Sequence, residues 1–367
     1  SCCWREQLEL MRDPIRLTLA LFGAILLMLV MGYGISMDVE DLTFAVLDRD
    51  QTELSRNYTL NISGSRYFKE EPPVRDYKDM DYRMRNGKLS LVVEIPPQFG
   101  RDVEQGRSPE VAFWVDGAMP MRAETINGYI TAMHSEWVAN YMAGRLGRDT
   151  SSVATLETRY RYNPDVKSLP AMVPAVIPLL LMMIPAILAA LSVVREKEMG
   201  SIINLYVTPL TRTEFLLGKQ LPYILLSMFS AVLLLILAVT LFDVPVKGSL
   251  WVLLLALFLY CSISTAMGLL ASSVTRSQIA VIFLTMVGTL IPAVQFCGLL
   301  NPVLTLNGVG RFIGTIYPTT YMLLVSRGIF NKALHFSDLL MPLAIMALMV
   351  PVFTGLGIAV LRKQEKN

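Results

Sequence analysis

The sequence has little charge, few cysteines and almost no histidine. Only 17% of its 367 residues are charged, and the two histidines, His134 and His335, are isolated from each other. Two separate imidazoles do not predict a metal site, because zinc and related ions are held by clusters of about three or four ligands. The four cysteines predict no disulfide framework, because none of them lies in the long polar segment 38–168.

Motifs for catalysis are also absent. No phosphate-binding loop is predicted, since Gly218-Lys219 lacks the upstream glycine and is followed by Gln220. No GxSxG turn or Cys/His pair indicates a nucleophile. Asp48 and Asp50 resemble a carboxylate pair, but the pattern places them after an edge strand, where a solvated turn is expected. We therefore predict no catalytic, cofactor-binding or metal-binding residue and no enzyme activity in this chain.

Long apolar segments are abundant. Hydrophobic residues make up 53% of the chain and its mean hydropathy is +0.49. A hydrocarbon core about 30 Å thick is crossed by a helix of about 20 apolar residues. No such segment carries an acidic residue or a lysine in its interior. The sequence predicts an α-helical polytopic membrane protein whose six transmembrane helices cover roughly 15–35, 170–194, 221–242, 250–273, 279–300 and 338–361.

The basic residues of the short connections indicate the orientation. Eleven lie on the side of the N-terminus and four on the other side, so the positive-inside rule places both termini in the cytoplasm. We expect a multi-pass protein of the bacterial inner membrane. The first group is Arg5, Arg12, Arg16, Arg195, Lys197, Arg212, Lys219, Arg276, Arg362, Lys363 and Lys366, and the second is Lys247, Arg311, Arg327 and Lys332.

Three domains are predicted. Residues 1–37 contain an amphipathic elbow helix and transmembrane helix 1, which begins at Asp13-Pro14. Residues 38–168 alternate strand-like runs (FAVLDRD, LSLVVEIPP, EVAFWVDGAM) with helical ones, which predicts a mixed α/β extracytoplasmic domain in the periplasm. Its slight excess of acids over bases argues against a nucleic-acid partner. Residues 169–367 contain transmembrane helices 2–6.

Several features of the membrane part leave alternatives open. Ser264, Gly268 and Ser272 at i, i+4 and i+8 indicate close helix packing, within the subunit by preference or at a dimer interface otherwise. Gln295 is a large polar side chain inside a span, and an interhelical hydrogen bond is favoured over a place in a substrate path. Residues 301–337 are too apolar for a solvated loop and predict short helices.

The connection between transmembrane helices 2 and 3 is elaborate. Residues 195–219 read REKEMGSIINLYVTPLTRTEFLLGK, a charged cluster followed by a short helix with an apolar face. Thr211 and Glu214 match the capping box that would begin the next helix. A short, stiff helix joined to two spans predicts a mechanical link that a large cytoplasmic partner moves.

Residues 193–219 resemble the coupling-helix signature of ABC-2-type (type V exporter) permeases. The runs ETRYRYNPDVKSLPAMVPAVIP and YPTTYMLLVSRGIF resemble further landmarks of that family, so the similarity covers nearly the whole chain. Within the family, the sequence is similar to the membrane half of fused ATPase-permeases called ribosome-associated ATPases. A first residue other than Met is expected if the chain is part of a longer polypeptide or has been processed.

The resemblance implies the permease subunit of an ATP-binding cassette exporter for hydrophobic or amphipathic drugs, lipids or polymers. A separate or fused ATPase would bind ATP and Mg²⁺, and this chain would bind no cofactor. The implied partners are that ATPase, a second copy or a related permease, membrane lipid and a periplasmic adaptor protein. The alternative is a membrane anchor of a ribosome-associated ATPase without transport activity. The residues implied in ATPase coupling are Glu196, Glu198, Gly200, Ile202, Leu205, Tyr206 and Pro209. Gln295 stays the candidate for a substrate path, the less favoured of its two interpretations.

Overall fold

A computed structural model describes six stretches of the chain, which divide into two compact units. The membrane unit is drawn from residues 1–37 and 160–367, and the α/β unit from residues 38–159. The described residues are 2–34, 42–118, 120–146, 168–199, 212–300 and 302–363.

The membrane unit is helical. Six of its described helices are long and apolar enough to cross a membrane, which confirms the predicted number of spans. The helices, numbered along the whole chain, are α1 (Cys2–Arg12), α2 (Pro14–Gly34), α7 (Ser168–Glu198), α8 (Arg212–Thr240), α9 (Leu250–Val274), α10 (Gln278–Phe296), α11 (Gly308–Ile316), α12 (Pro318–Lys332) and α13 (Leu340–Lys363).

Helices α1 and α2 begin as the sequence predicts. Asp13 lies between them, and its carboxylate accepts a hydrogen bond from the backbone N of Arg16, so it caps α2 while Pro14 occupies the first helical position. Trp4 and Met11 of α1 are exposed and apolar, whereas Glu6 and Leu10 are buried. The amphipathic pattern of α1 therefore separates a lipid-compatible face from a face packed on the protein.

Helix α7 is the centre of the membrane unit and is mostly buried. It remains helical through Pro174, Pro178 and Pro185. Pro178 has no N–H for the carbonyl of Pro174, and the hydroxyl of Ser326 in α12 donates to that carbonyl at 2.6 Å. A neighbouring side chain thus supplies the donor that the proline removes.

Small residues of α9 pack against α7. The hydroxyl of Ser264 donates to the carbonyl O of Met182 at 2.8 Å. A Cβ atom added to Gly268 would lie 2.0 Å from the carbonyl O of Ala186. These contacts confirm the favoured interpretation that this stripe of small residues packs within the subunit.

The segment after α10 contains the predicted short helices. Helix α12 is largely buried, and its Arg327 donates to the carbonyl oxygens of Gly298 and Leu299 at 2.8 and 3.2 Å. The hydroxyl of Tyr317 donates to the carbonyl O of Gly288 in α10 at 3.0 Å. These bonds connect the short helices to α10 and to the residues that directly follow it.

The α/β unit is built on a four-stranded sheet of order β2-β1-β3-β4. Strand β1 pairs in parallel with β2 and β3, and β3 pairs antiparallel with β4. The sequence patterns identified β1, β3, β4, α4 and α6 but missed the short β2, α3 and α5. The elements are β1 (Leu42–Asp48), α3 (Glu53–Ser63), β2 (Phe68–Glu70), α4 (Tyr77–Arg85), β3 (Leu91–Ile95), α5 (Phe99–Glu104), β4 (Ala112–Val115) and α6 (Pro120–Leu146).

The prediction that Asp48 and Asp50 form a solvated turn after an edge strand was wrong. Strand β1 is central, and both carboxylates bond to the protein. Asp48 accepts hydrogen bonds from the backbone N of Asp50 at 2.8 Å and from the Ser55 hydroxyl at 2.7 Å. Asp50 accepts from the backbone N of Gly100 at 2.8 Å. The two acids order the turn from β1 to α3, because they satisfy backbone donors that the sheet leaves free.

We expect residues 38–159 to fold when expressed alone. Tyr58 and Trp137 are buried between α3 and α6 with ring centroids 4.9 Å apart, and this segment contains no cysteine. Thermal unfolding followed by tryptophan fluorescence should show one cooperative transition, unchanged by a reductant or a chelator. Trp137→Ala should lower its stability by about 3–5 kcal/mol, whereas replacement of the half-exposed Trp114 should cost much less. A segment that shows no cooperative transition would contradict this prediction.

Candidate functional site

The last turn of α7 carries four consecutive charged residues, and each contacts a different element. Arg195 forms an ion pair with Asp13, the cap of α2, at 3.1 Å. Glu196 forms an ion pair with Lys219 of α8 at 2.8 Å. Successive side chains of an α-helix point about 100° apart, since one turn takes 3.6 residues. Four charges in a row therefore reach neighbours on every side of α7.

The other two charges contact both sides of the connection between α9 and α10. Lys197 Nζ donates to the carbonyl oxygens of Ser272 and Thr275, at the C-terminal end of α9, at 2.6 and 3.4 Å. Glu198 accepts hydrogen bonds from the backbone N of Gln278, at 2.8 Å, and from its side-chain amide. A cation at a helix C-terminus and an anion at a helix N-terminus are both stabilising, because they complement the helix dipole.

Lys219 is the buried centre of the ionic contacts. Its side chain is 2% exposed, and Nζ lies 2.7 Å from Glu6 Oε2 and 2.8 Å from Glu196 Oε1. The second oxygen of Glu6 accepts a hydrogen bond from the hydroxyl of Tyr223 at 3.0 Å, and Arg16 donates to that hydroxyl at 3.0 Å. We call this set the charged junction: Glu6, Asp13, Arg16, Arg195, Glu196, Lys197, Glu198, Lys219 and Tyr223.

The sequence analysis missed the position of Lys219. It counted Lys219 in the cytoplasmic connection, outside the predicted span 221–242, although the capping box at Thr211 predicted a helix that would contain it. Helix α8 begins at Arg212 and contains Lys219, whose side chain is buried. Burial of an ammonium group is tolerated here because two carboxylates face it. One signal was present, since Lys219 and Tyr223 are four residues apart and so lie on one face of a helix. Their partner Glu6 is more than 200 residues distant, which no local pattern shows.

The residues implied in ATPase coupling fall into two groups. Glu196 and Glu198 belong to the charged junction. Helix α7 ends shortly before residues 200–211, and helix α8 begins directly after them. The charged junction connects the end of α7 and the start of α8 to α1. Five of the residues lie outside the described part of the chain, namely Gly200, Ile202, Leu205, Tyr206 and Pro209.

Gln295 lies near the end of α10 and is exposed. Within the described part of the chain it has no hydrogen-bond partner. An interhelical bond inside this subunit, the interpretation favoured from the sequence, is not present among these residues.

Similarity to known proteins covers most of the chain, including the end of α7 and the start of α8. A family model described as "ABC-2 family transporter protein" matches residues 17–359. The chain belongs to the ABC-2 transporter family. It is a membrane permease component of an ABC transporter, not the ATPase, and membership implies an ATP-binding cassette ATPase as its partner.

Relatives in Escherichia coli K12 extend the similarity over most of their own length. The probable multidrug ABC transporter permease YbhS is 28% identical over 332 residues, which cover 90% of this chain and 87% of the relative. The inner membrane transport permease YhhJ is 27% identical over 295 residues, covering 80% and 77%. The probable multidrug ABC transporter permease YbhR is 24% identical over 300 residues, covering 82% and 80%. These matches and the six spans make this ABC-2 protein an integral inner-membrane permease.

Proposed function

We propose that this permease exports hydrophobic or amphipathic molecules, such as drugs, lipids or polymers, out of the cytoplasm or the inner leaflet. The names of two relatives, both probable multidrug ABC transporter permeases, support this class of substrate. The described spans carry their acidic residues only near their ends, whereas ion-coupled transporters place ionisable groups at mid-membrane. The energy would therefore come from ATP and Mg²⁺ bound by a separate or fused ATPase.

The charged junction is the observation that carries the proposed mechanism. We infer that the ATPase docks on residues 200–211 and that the junction carries the resulting movement into the spans. Arg195, Glu196, Lys197 and Glu198 connect the end of α7 to α2, α8, α9 and α10. A displacement of this turn would move all four helices together, because each contact is short and charged. The substrate would pass between two permease subunits, identical or related, with a periplasmic adaptor on the α/β unit.

Leu205→Asp tests this function. We expect the variant to insert normally but to lose ATP-driven export, because a new charge in the apolar contact with the ATPase costs more than about 1 kcal/mol. The measurement uses proteoliposomes that contain the permease and its ATPase, with ATPase activity and uptake of a fluorescent amphipathic dye recorded together. Lys363→Ala is the matched control and should leave both activities unchanged.

Two results would contradict the proposal. Wild-type protein that stimulates the ATPase without moving any dye, lipid or polymer would favour the anchor function. Leu205→Asp protein with intact transport would show that residues 200–211 are a passive connection.

Accessibility of single cysteines tests the proposed orientation, with both termini in the cytoplasm and the α/β unit in the periplasm. The single cysteines are introduced into a cysteine-free variant in which serine replaces Cys2, Cys3, Cys261 and Cys297. Ser108→Cys, at an exposed position of the α/β unit, should react with an impermeant maleimide in spheroplasts. Met199→Cys, at a position 63% exposed beside the charged junction, should react only after permeabilisation. The reverse pattern would invert the proposed topology.

A further inference from the structure

A pocket of about 880 Å³ lies where α1 and the start of α2 meet the end of α7. Its volume falls within the range of about 300–1,000 Å³ that is common for small-ligand sites. Arg12, Ile15, Leu191 and Met199 are among the side chains that line it. It therefore combines charged and apolar walls.

The acids that line this pocket are all ion-paired, whereas one of its arginines is not. Four arginines and four acids line it, and Arg5, Arg16 and Arg195 each pair with one of those acids. The other two acids pair with the buried Lys219, which lies outside the lining. Arg12 is exposed and makes no hydrogen bond or ion pair within the described residues. The arginines are Arg5, Arg12, Arg16 and Arg195, and the acids are Glu6, Glu9, Asp13 and Glu196.

The pocket lies at the level where the membrane begins. The first span begins at Pro14 and the second ends at Glu198, so the pocket is bounded by the polar ends of two apolar helices. Ile15 is 78% exposed beside it, and Trp4 and Met11 of α1 are also exposed and apolar. These side chains are compatible with acyl chains, whereas the arginines are compatible with a phosphate.

We propose that this pocket binds the headgroup phosphate of an anionic phospholipid. Arg12 and Arg195 contact the phosphate, and the acyl chains lie along the exposed apolar face of α1 and Ile15. Basic pockets at the polar ends of transmembrane helices are a known way to hold lipid headgroups. A bound lipid would connect α1 to the end of α7. This site is independent of the transported substrate and of the direction of transport.

Lipid titration of the delipidated full-length protein, followed by native mass spectrometry, tests the proposal. Phosphatidylglycerol should bind more tightly than phosphatidylcholine. Arg12→Gln should weaken the binding of the first phosphatidylglycerol molecule about fivefold, measured as a higher Kd. The double variant Arg12→Gln, Arg195→Gln should weaken it roughly thirtyfold. Glu9→Gln should tighten binding about fivefold, because it removes a negative charge from the lining.

Arg311→Gln is the matched control, since it removes one exposed positive charge from α11, outside this pocket. It should leave the affinity unchanged. The proposal is overturned if Arg12→Gln and Glu9→Gln behave like this control, or if phosphatidylcholine binds as tightly. It is also overturned if millimolar inorganic phosphate or glycerophosphoglycerol displaces the lipid, because the pocket would then be a site for small soluble anions. Arg12 has no partner within the described residues, so its replacement tests binding without disturbing the fold.

Discussion

Lys219→Met is expected to destabilise the protein by about 3–5 kcal/mol. Methionine keeps most of the length of the side chain but removes the ammonium group that lies 2.7 Å from Glu6 and 2.8 Å from Glu196. The Glu6 side chain is only 5% exposed, so its carboxylate would remain charged and poorly solvated. Thermal unfolding of the purified protein in detergent, followed by size-exclusion chromatography, measures the loss as a lower apparent Tm.

Two further variants separate the ionic effect from a change of shape. The triple variant Glu6→Gln, Glu196→Gln and Lys219→Met removes every charge of the cluster and should recover most of the lost stability, because replacement of a whole buried cluster is often neutral. Lys247→Met removes an exposed lysine and should change little. If Lys219→Met has the same apparent Tm as Lys247→Met, the charged junction does not stabilise the packing of α1 on α7 and α8.

Gly268→Leu is expected to disrupt the packing of α9 on α7. Even a single Cβ atom at this position would lie 2.0 Å from the carbonyl O of Ala186, which is backbone and cannot rotate away. The helices would have to separate, which would also break the hydrogen bond from Ser264 to Met182. Overpacking of a core costs about 1–3 kcal/mol and more where backbone must move, so we expect low yield and a lower apparent Tm.

Gly288→Ala in α10 is the matched control. No atom lies within 4 Å of the Cβ position there, and alanine has the higher helix propensity. This variant should be as stable as the wild type or slightly more stable. The stability of Gly268→Ala should lie between those of Gly268→Leu and Gly288→Ala, measurably below that of the wild type. Equal stability of Gly268→Ala and Gly288→Ala would contradict the close approach of α7 and α9.

The number of spans and the start of α2 follow from local properties of the sequence. A run of about 20 apolar residues crosses the membrane whatever its neighbours are, because no water is available to an unpaired backbone group. Asp13 and Pro14 act within one turn, so their pattern identifies the helix start without tertiary information. Residues 193–219 carried the family resemblance, which the family match over residues 17–359 confirmed.

Other features depended on contacts between distant residues. The parallel pairing of β1 with both β2 and β3 made β1 central, so Asp48 became an organised part of a turn instead of a solvated acid. The prediction for the small residues of α9 left two packings open, and the approach of Gly268 to Ala186 decided between them. Pairing order and helix approach are set by the whole core, which short windows of sequence do not contain.

The sequence by itself thus determined that this is a six-span membrane protein with a polar α/β segment after its first span, since hydropathy and length act locally. The permease family followed from the resemblance of residues 193–219. Tertiary structure alone decided which groups surround Lys219 in its helix. Its burial costs free energy until Glu6, Glu196 and the carbonyl O of Ser192 surround it, and these groups come from α1 and α7. The four charges of residues 195–198 look alike in the sequence, and only the packed helices give each one a different partner.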